Sequence, residues 1–221
     1  MKAANEAKDL ARRGQSGGEE LANAISHGVG LVGALIGAPI LFASALRNGS
    51  GFFLIGTAVF ITTLLVLYLG SMLYHAWPQS SAKSALQALD HSAIFWLIAG
   101  TYTPFALGPL WGVWGWTMLG IIWALAVLGV SLKSMRGAGR HRTFAMALYL
   151  GMGWLALGFI RPLALAVPFS ALVWLVAGGV VYTTGVLFYL NERLRYAHFV
   201  WHLFVLGGSG CHFAAVLVCA S

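Results

Sequence analysis

Seven stretches of about 20 mostly apolar residues follow one another through the chain, and each is long enough to cross the hydrocarbon core of a bilayer. They run near 24–46, 52–76, 87–108, 111–132, 143–160, 168–190 and 197–219. Only 9% of the 221 residues are charged, against about 25% in an ordinary soluble domain, so a soluble fold could not cover its apolar surface. The alternating segments of about ten residues that form a membrane β-barrel do not occur. The sequence therefore predicts an all-α membrane protein, a bundle of seven transmembrane helices over residues 23–221 that follows a cytoplasmic tail over residues 1–22.

The orientation in the membrane is predicted from the 13 Lys and Arg residues. Eleven of them lie in the N-terminal tail and in the second, fourth and sixth gaps between spans: Lys2, Lys8, Arg12, Arg13, Lys83, Lys133, Arg136, Arg140, Arg142, Arg193 and Arg195. The opposite side has Arg47 and Arg161. Cytoplasmic gaps carry the excess of basic residues, so we expect the N-terminus inside, the C-terminus outside, and a location in the cell inner (plasma) membrane. Because the basic residues lie in short gaps and not on one stripe, nucleic acid is excluded as a partner. The expected partners are membrane lipids.

Several polar side chains fall at one depth, near the cytoplasmic face, once this orientation is assigned. They lie at the end of span two and at the beginnings of spans three and seven: Ser71, His75, Asp90, His91, His198 and His202. His198 and His202 are four residues apart, which places two imidazoles on one helical face about 6 Å apart. Three imidazoles plus one oxygen, from a carboxylate or from a water that a carboxylate holds, make a tetrahedral site, and the predominance of nitrogen favours Zn²⁺. For His75 the alternative of pairing with headgroups or backbone carbonyls stays open.

The remaining histidines have simpler interpretations. His212 would lie about 15 Å deeper than the predicted site, so we expect it to bond a neighbouring helix. We assign His91 a packing role, and we expect His141, in a basic loop, to be solvated. One further polar face follows the spacing i, i+3, i+7 at the start of span one: Glu20, Asn23 and His27. Helix capping and interface anchoring explain this face as well as function does.

Several segments of the sequence resemble the hemolysin III family, the bacterial branch of the progestin and adipoQ receptor superfamily. They are SMLYH (71–75), ALDHSAIF (88–95), GTYTPF (100–105) and HFVWHLFVLGGSGCHF (198–213), together with EELANAISHGVG (19–30). The resemblance covers nearly the whole chain in order, and it implies a seven-helix bundle with a cytoplasmic N-terminus and a Zn²⁺ site near the cytoplasmic face. It implies that His75, His198 and His202 ligate the zinc. It also implies that Asp90 holds a zinc-bound water and that Ser71 lies beside the metal.

Three functions remain open. The first, which the wider superfamily implies, is a metal-dependent (ceramidase-like) hydrolase of a lipid amide. In it Asp90 is the general base, and Ser71 orients the water or donates to the developing oxyanion. The second is a non-enzymatic membrane regulator or receptor-like protein with structural zinc, which a closed site would favour. The third is the pore-forming haemolysin to which the family name refers, although outside the metal cluster no span carries a repeated charged stripe to line a channel.

Overall fold

The computed structural model describes residues 14–136, 142–191 and 193–220. Within these ranges all regular elements are helical. In chain order they are α1 (Gly17–Asn48), α2 (Gly51–Ala76), α3 (Ser81–Leu107), α4 (Val113–Arg136), α5 (Arg142–Gly153), a 3-10 helix (Leu155–Phe159), α6 (Ile160–Ala166), α7 (Phe169–Leu190) and α8 (Ala197–Ala220). His141, Arg140 and the first 13 residues lie outside the described ranges.

Helix α1 begins at Gly17, earlier than the apolar pattern near 24 predicts. Ser16 and Glu19 form a capping box there: the Ser16 hydroxyl accepts from the Glu19 amide, and the Ser16 amide donates to Glu19 Oε2 at 2.9 Å. This pairing satisfies amides that the first turn of a helix leaves without partners. The Ser-x-x-Glu spacing is visible in the sequence, but a search for apolar residues does not detect it. The first turns of α1 therefore extend beyond the predicted span and over the cluster of polar residues described below.

The fifth predicted span, 143–160, is interrupted and longer than expected. Helix α5 ends at Gly153, and the 3-10 helix and α6 continue the span to Ala166. The phenol of Tyr102 in α3 lies at the break, 3.0 Å from the Met152 carbonyl oxygen and 2.8 Å from that of Gly153, and it accepts from the Ala156 amide at 3.0 Å. The Tyr102 phenol thus forms hydrogen bonds with backbone groups near the break. Backbone polar groups inside a membrane need such internal partners where a helix is interrupted.

In the described part of the chain, six helical segments are long and apolar enough to cross a membrane, with α5 and α6 counted as one. The outer surface is apolar: Leu165 and Phe169, for example, are 82% and 81% exposed. The predicted third span, α3, is not among the six. It has 27 residues, or about 40 Å of helix, so its length suffices. Its polar residues lower its hydropathy, and many of them face protein, because α3 packs against α2, α4, α5 and α8 and is extensively buried. The protein is a multi-pass α-helical membrane protein.

The helices that carry the polar cluster meet at one end of the bundle. Helix α2 finishes where α1, α3 and α8 begin, as cross-contacts at that end show. Glu20 of α1 contacts both His75 of α2 and Lys83 of α3. The amide of Tyr196, immediately before α8, donates to Glu19 of α1 at 2.8 Å. Residues that are far apart in sequence are therefore placed side by side.

Candidate metal centre

Three imidazoles meet where α2 ends and α8 begins. His75 is in the last turn of α2, and His198 and His202 occupy one face of the first turns of α8. Each offers a ring nitrogen, and these nitrogens lie within 4.8 Å of one another. His75 and His202 are buried, with 4% and 2% exposure, and His198 is half-buried. The three residues could hold a metal ion.

The hydrogen bonds of the two buried histidines fit a metal. His75 Nδ1 lies 2.7 Å from Glu20 Oε2, while His75 Nε2 is buried without a hydrogen-bond partner among the described residues. His202 Nδ1 lies 3.0 Å from the Ser26 hydroxyl and 3.3 Å from the carbonyl oxygen of Asn23, which leaves Nε2 for the cluster. Metal-bound histidines usually have one nitrogen held by an outer partner in this way. Around a tetrahedral zinc the nitrogens would be about 3.3 Å apart. Small rotations of the histidine side chains would therefore be needed to bring the three nitrogens to that distance.

The outer partners of both histidines come from α1. Glu20 is itself fixed by Lys83, whose Nζ lies 3.3 Å from Glu20 Oε1 and donates to the Trp77 carbonyl oxygen at 3.0 Å. The sequence showed the spacing of the Glu20 face but could not distinguish helix capping and interface anchoring from a functional role. Ser26 had no predicted role, although it lies on the same helix one residue before His27. This group became recognisable only when α1 was placed against α2 and α8.

Asp90 and Ser71 lie beside the imidazole cluster. Ser71 is fully buried, one helical turn before His75, and its hydroxyl has no well-formed hydrogen bond to any described residue. Asp90 is 7% exposed, with Ser71 as a neighbour and His75 within electrostatic reach. The carboxylate does not belong to the group whose ligand atoms all lie within 4.8 Å of one another. The arrangement is therefore three imidazoles with a carboxylate further out.

An internal cavity of about 100 Å³ begins at this cluster. His198, His202 and Asp90 line one part of it, and His212, ten residues further along α8, lines another. The lining between them is mainly apolar and aromatic, including Ile94, Leu97, Ile98, Val186, Trp201 and Val205. A second cavity of about 60 Å³ shares Tyr102, Trp154 and His212 with the first and extends past the break in the fifth span. The imidazoles thus adjoin a long apolar space.

Of the remaining histidines, His212 lies away from the three-histidine cluster, whereas His27 lies beside it. His212 Nε2 is 3.4 Å from the carbonyl oxygen of Leu175 on α7, so it bonds a neighbouring helix as expected. His91 lines the cavity, and its carbonyl oxygen accepts from Tyr149 at 2.9 Å. His27 of α1 stacks on His202, with ring centroids 3.6 Å apart. This stacking places His27 at the edge of the candidate metal centre, a position that the sequence did not indicate.

Fold and site together define a multi-pass helical membrane protein with a buried histidine cluster suited to a metal ion. The haemolysin-III related family matches residues 16–213, and the chain belongs to that family. It is 40% identical to the hemolysin-3 homolog of Bacillus subtilis over 199 residues, which are 90% of this chain and 93% of the relative. It is 41% identical to hemolysin-3 of Bacillus cereus over 199 residues, 90% of each chain. The human monocyte to macrophage differentiation factor is 25% identical over 211 residues, 90% of this chain and 83% of that protein. The predicted family resemblance is confirmed.

Proposed function

We propose that this protein is a Zn²⁺-dependent hydrolase of lipid amides, with His75, His198 and His202 as the metal ligands. The observation that carries the proposal is a cluster of three imidazoles beside a mainly apolar cavity. Three protein ligands with one remaining position are typical of catalytic zinc, whereas structural zinc usually has four. An apolar cavity within the bundle suits the acyl chain of a substrate that enters from the bilayer.

The proposal includes the topology. In it α3 is a seventh span, the N-terminus lies in the cytoplasm, and the cluster faces the cytoplasmic side of the inner membrane. The burial of α3 against four other helices supports this assignment, because a helix surrounded by protein can cross a membrane without being apolar throughout. The eleven-to-two division of basic residues supports the orientation.

The chemistry proposed is the addition of water across an amide C–N bond, which yields a carboxylic acid and an amine. A bound zinc would acidify a water and polarise the carbonyl group. Asp90 is the proposed general base: its carboxylate takes a proton from the attacking water and returns it to the departing nitrogen. The buried Ser71 hydroxyl, which has no well-formed hydrogen bond within the described ranges, can donate to the water or to the oxyanion. Glu20 and Ser26 keep the His75 and His202 rings oriented with Nε2 toward the metal.

Hydrolysis of a ceramide panel by the purified protein, normalised to bound zinc, tests this proposal. Asp90→Asn should lower turnover by a factor on the order of 10² to 10⁴, because an amide cannot accept the proton. Zinc should remain bound, because the three imidazoles are unchanged. Normal hydrolysis by Asp90→Asn would remove Asp90 from the mechanism. A fully zinc-loaded wild type that hydrolyses no lipid amide would refute the proposed activity.

The second candidate is a non-enzymatic membrane regulator with structural zinc. One observation favours it: a metal ion held by the three histidines would cross-link α2 and α8, and the hydrogen bonds of His75 and His202 connect α1 to the same cluster. In that case metal removal should lower the thermal stability strongly, and Asp90→Asn should leave any signalling output unchanged. Ceramide hydrolysis that depends on zinc and on Asp90 would exclude this candidate.

A further inference from the structure

His27 of α1 is a buried histidine that lies beside the three-histidine cluster. It is 3% exposed, and both Nδ1 and Nε2 are buried without a hydrogen bond to any described residue. Its ring stacks on His202 at 3.6 Å between centroids with an interplanar angle of 10° and meets Tyr68 edge-on at 5.3 Å. Unpaired buried polar atoms destabilise a fold, and their presence calls for a functional explanation. The aromatic contacts explain where the ring lies but not why it is a histidine.

The stacking geometry argues against His27 as a fourth metal ligand. A metal ion lies close to the plane of each imidazole that binds it. Two parallel rings 3.6 Å apart cannot both contain the same ion in their planes, and His27 lies outside the group of mutually close ligand atoms. His27 does line the cavity, together with His202 and Asp90. The His27 ring therefore lies against the cavity next to the proposed metal position, and its nitrogens have no hydrogen-bond partner among the described residues.

We propose that His27 donates a hydrogen bond to the oxygen of a cavity ligand that is bound at the metal, the carbonyl oxygen in the case of a lipid amide. The identity of that oxygen rests on the proposed function. A neutral imidazole has one N–H donor, and a donor held in an apolar cavity stabilises the negative charge that the oxygen gains during attack by water. Stacking on His202 fixes the direction of the donor relative to the metal ligand, so His27 is preorganised for this contact.

The test compares His27→Phe with wild type by titrating zinc-loaded protein in detergent with lauroyl hydroxamate, a zinc chelator with an acyl chain. Phenylalanine keeps an aromatic ring for the stack on His202 and removes both nitrogens. We expect unchanged zinc content, an unchanged or higher unfolding temperature, and hydroxamate affinity reduced about 10- to 100-fold, the effect of one buried hydrogen bond to a charged group. Turnover of a lipid amide should fall by about 10² to 10³. Thr57→Val is the control: Thr57, in the first turns of α2, is also buried with a side-chain polar atom that has no hydrogen-bond partner among the described residues, but it does not line the cavity. Its hydroxamate affinity should therefore equal that of wild type.

Equal hydroxamate affinity in His27→Phe and wild type would overturn the inference, as would the absence of hydroxamate binding to zinc-loaded wild type. Loss of zinc in His27→Phe would also overturn it, in favour of a role in holding the metal. If His27→Phe does not fold, His27→Leu undergoes the same titration. Weakened hydroxamate binding without hydrolysis by wild type would refute the proposed function and keep the inference. Hydrolysis by wild type, with hydroxamate affinity and turnover unchanged in His27→Phe, would support the proposed function and overturn the inference.

Discussion

Replacing Glu20 with glutamine should weaken zinc binding without removing a ligand. Glu20 Oε2 lies 2.7 Å from Nδ1 of the buried His75, a contact with a carboxylate that orients the ring. Loss of such an outer partner typically costs 10- to 100-fold in metal affinity. Glutamine retains an acceptor oxygen, and the Glu20 side chain is 23% exposed, so water screens part of its charge. We therefore expect the lower part of that range, about 10-fold or about 1.4 kcal/mol.

The neighbouring residue provides the control for this measurement. Glu19 bonds Ser16 and the backbone of Tyr196, and glutamine can also serve in a capping box, so Glu19→Gln should leave zinc affinity unchanged. Both variants are titrated with zinc against a chromophoric chelator in detergent, beside wild type. Affinity for zinc that is equal in Glu20→Gln and wild type would refute the assigned role of Glu20. If Glu19→Gln and Glu20→Gln lose zinc affinity equally, the start of α1 affects zinc binding only through its general packing.

Three further results are expected. His202→Ala should lose most of its zinc and His212→Ala should keep it, measured by elemental analysis; equal zinc in both would place the site elsewhere. Alkaline phosphatase, which is active only outside the cytoplasm, should be active when fused after Ser221 and inactive within 136–142, and the opposite pattern would refute the orientation. Tyr102→Phe should lower the free energy of unfolding by about 1–3 kcal/mol, because backbone groups at the break lose their partner; an unchanged denaturation midpoint would contradict this account.

The helical character and the histidine pair could be predicted from the sequence because both depend on local spacing. A run of about 20 apolar residues has one main solution in lipid, and residues four apart on a helix share a face. The break at Gly153 could not be predicted in this way. It depends on Tyr102, which comes from a helix about 50 residues earlier in the chain. A periodicity argument does not include such a contact.

The outer part of the candidate site was beyond sequence reasoning for a related reason. The helical spacing of Glu20 and His27 was visible in the sequence, but their contacts with His75 of α2 and His202 of α8 were not. The same limit applies to α3, which packs against four other helices; a search for apolar residues cannot detect that its polar residues are covered by protein. Hydropathy describes a segment that is surrounded by lipid on all sides, whereas α3 packs against other helices.

The contact between Ser26 and His202 joins residues 176 positions apart, and this separation has a consequence for biosynthesis. Helix α1 leaves the ribosome long before α8, so the nascent chain holds Glu20 and His75 while two of the three clustered imidazoles are still unsynthesised. The cluster is complete only after the last of these helices has inserted and docked. A metal ion bound by all three imidazoles would therefore be acquired late in maturation, and a chain truncated before α8 would lack two of the three histidines of the cluster.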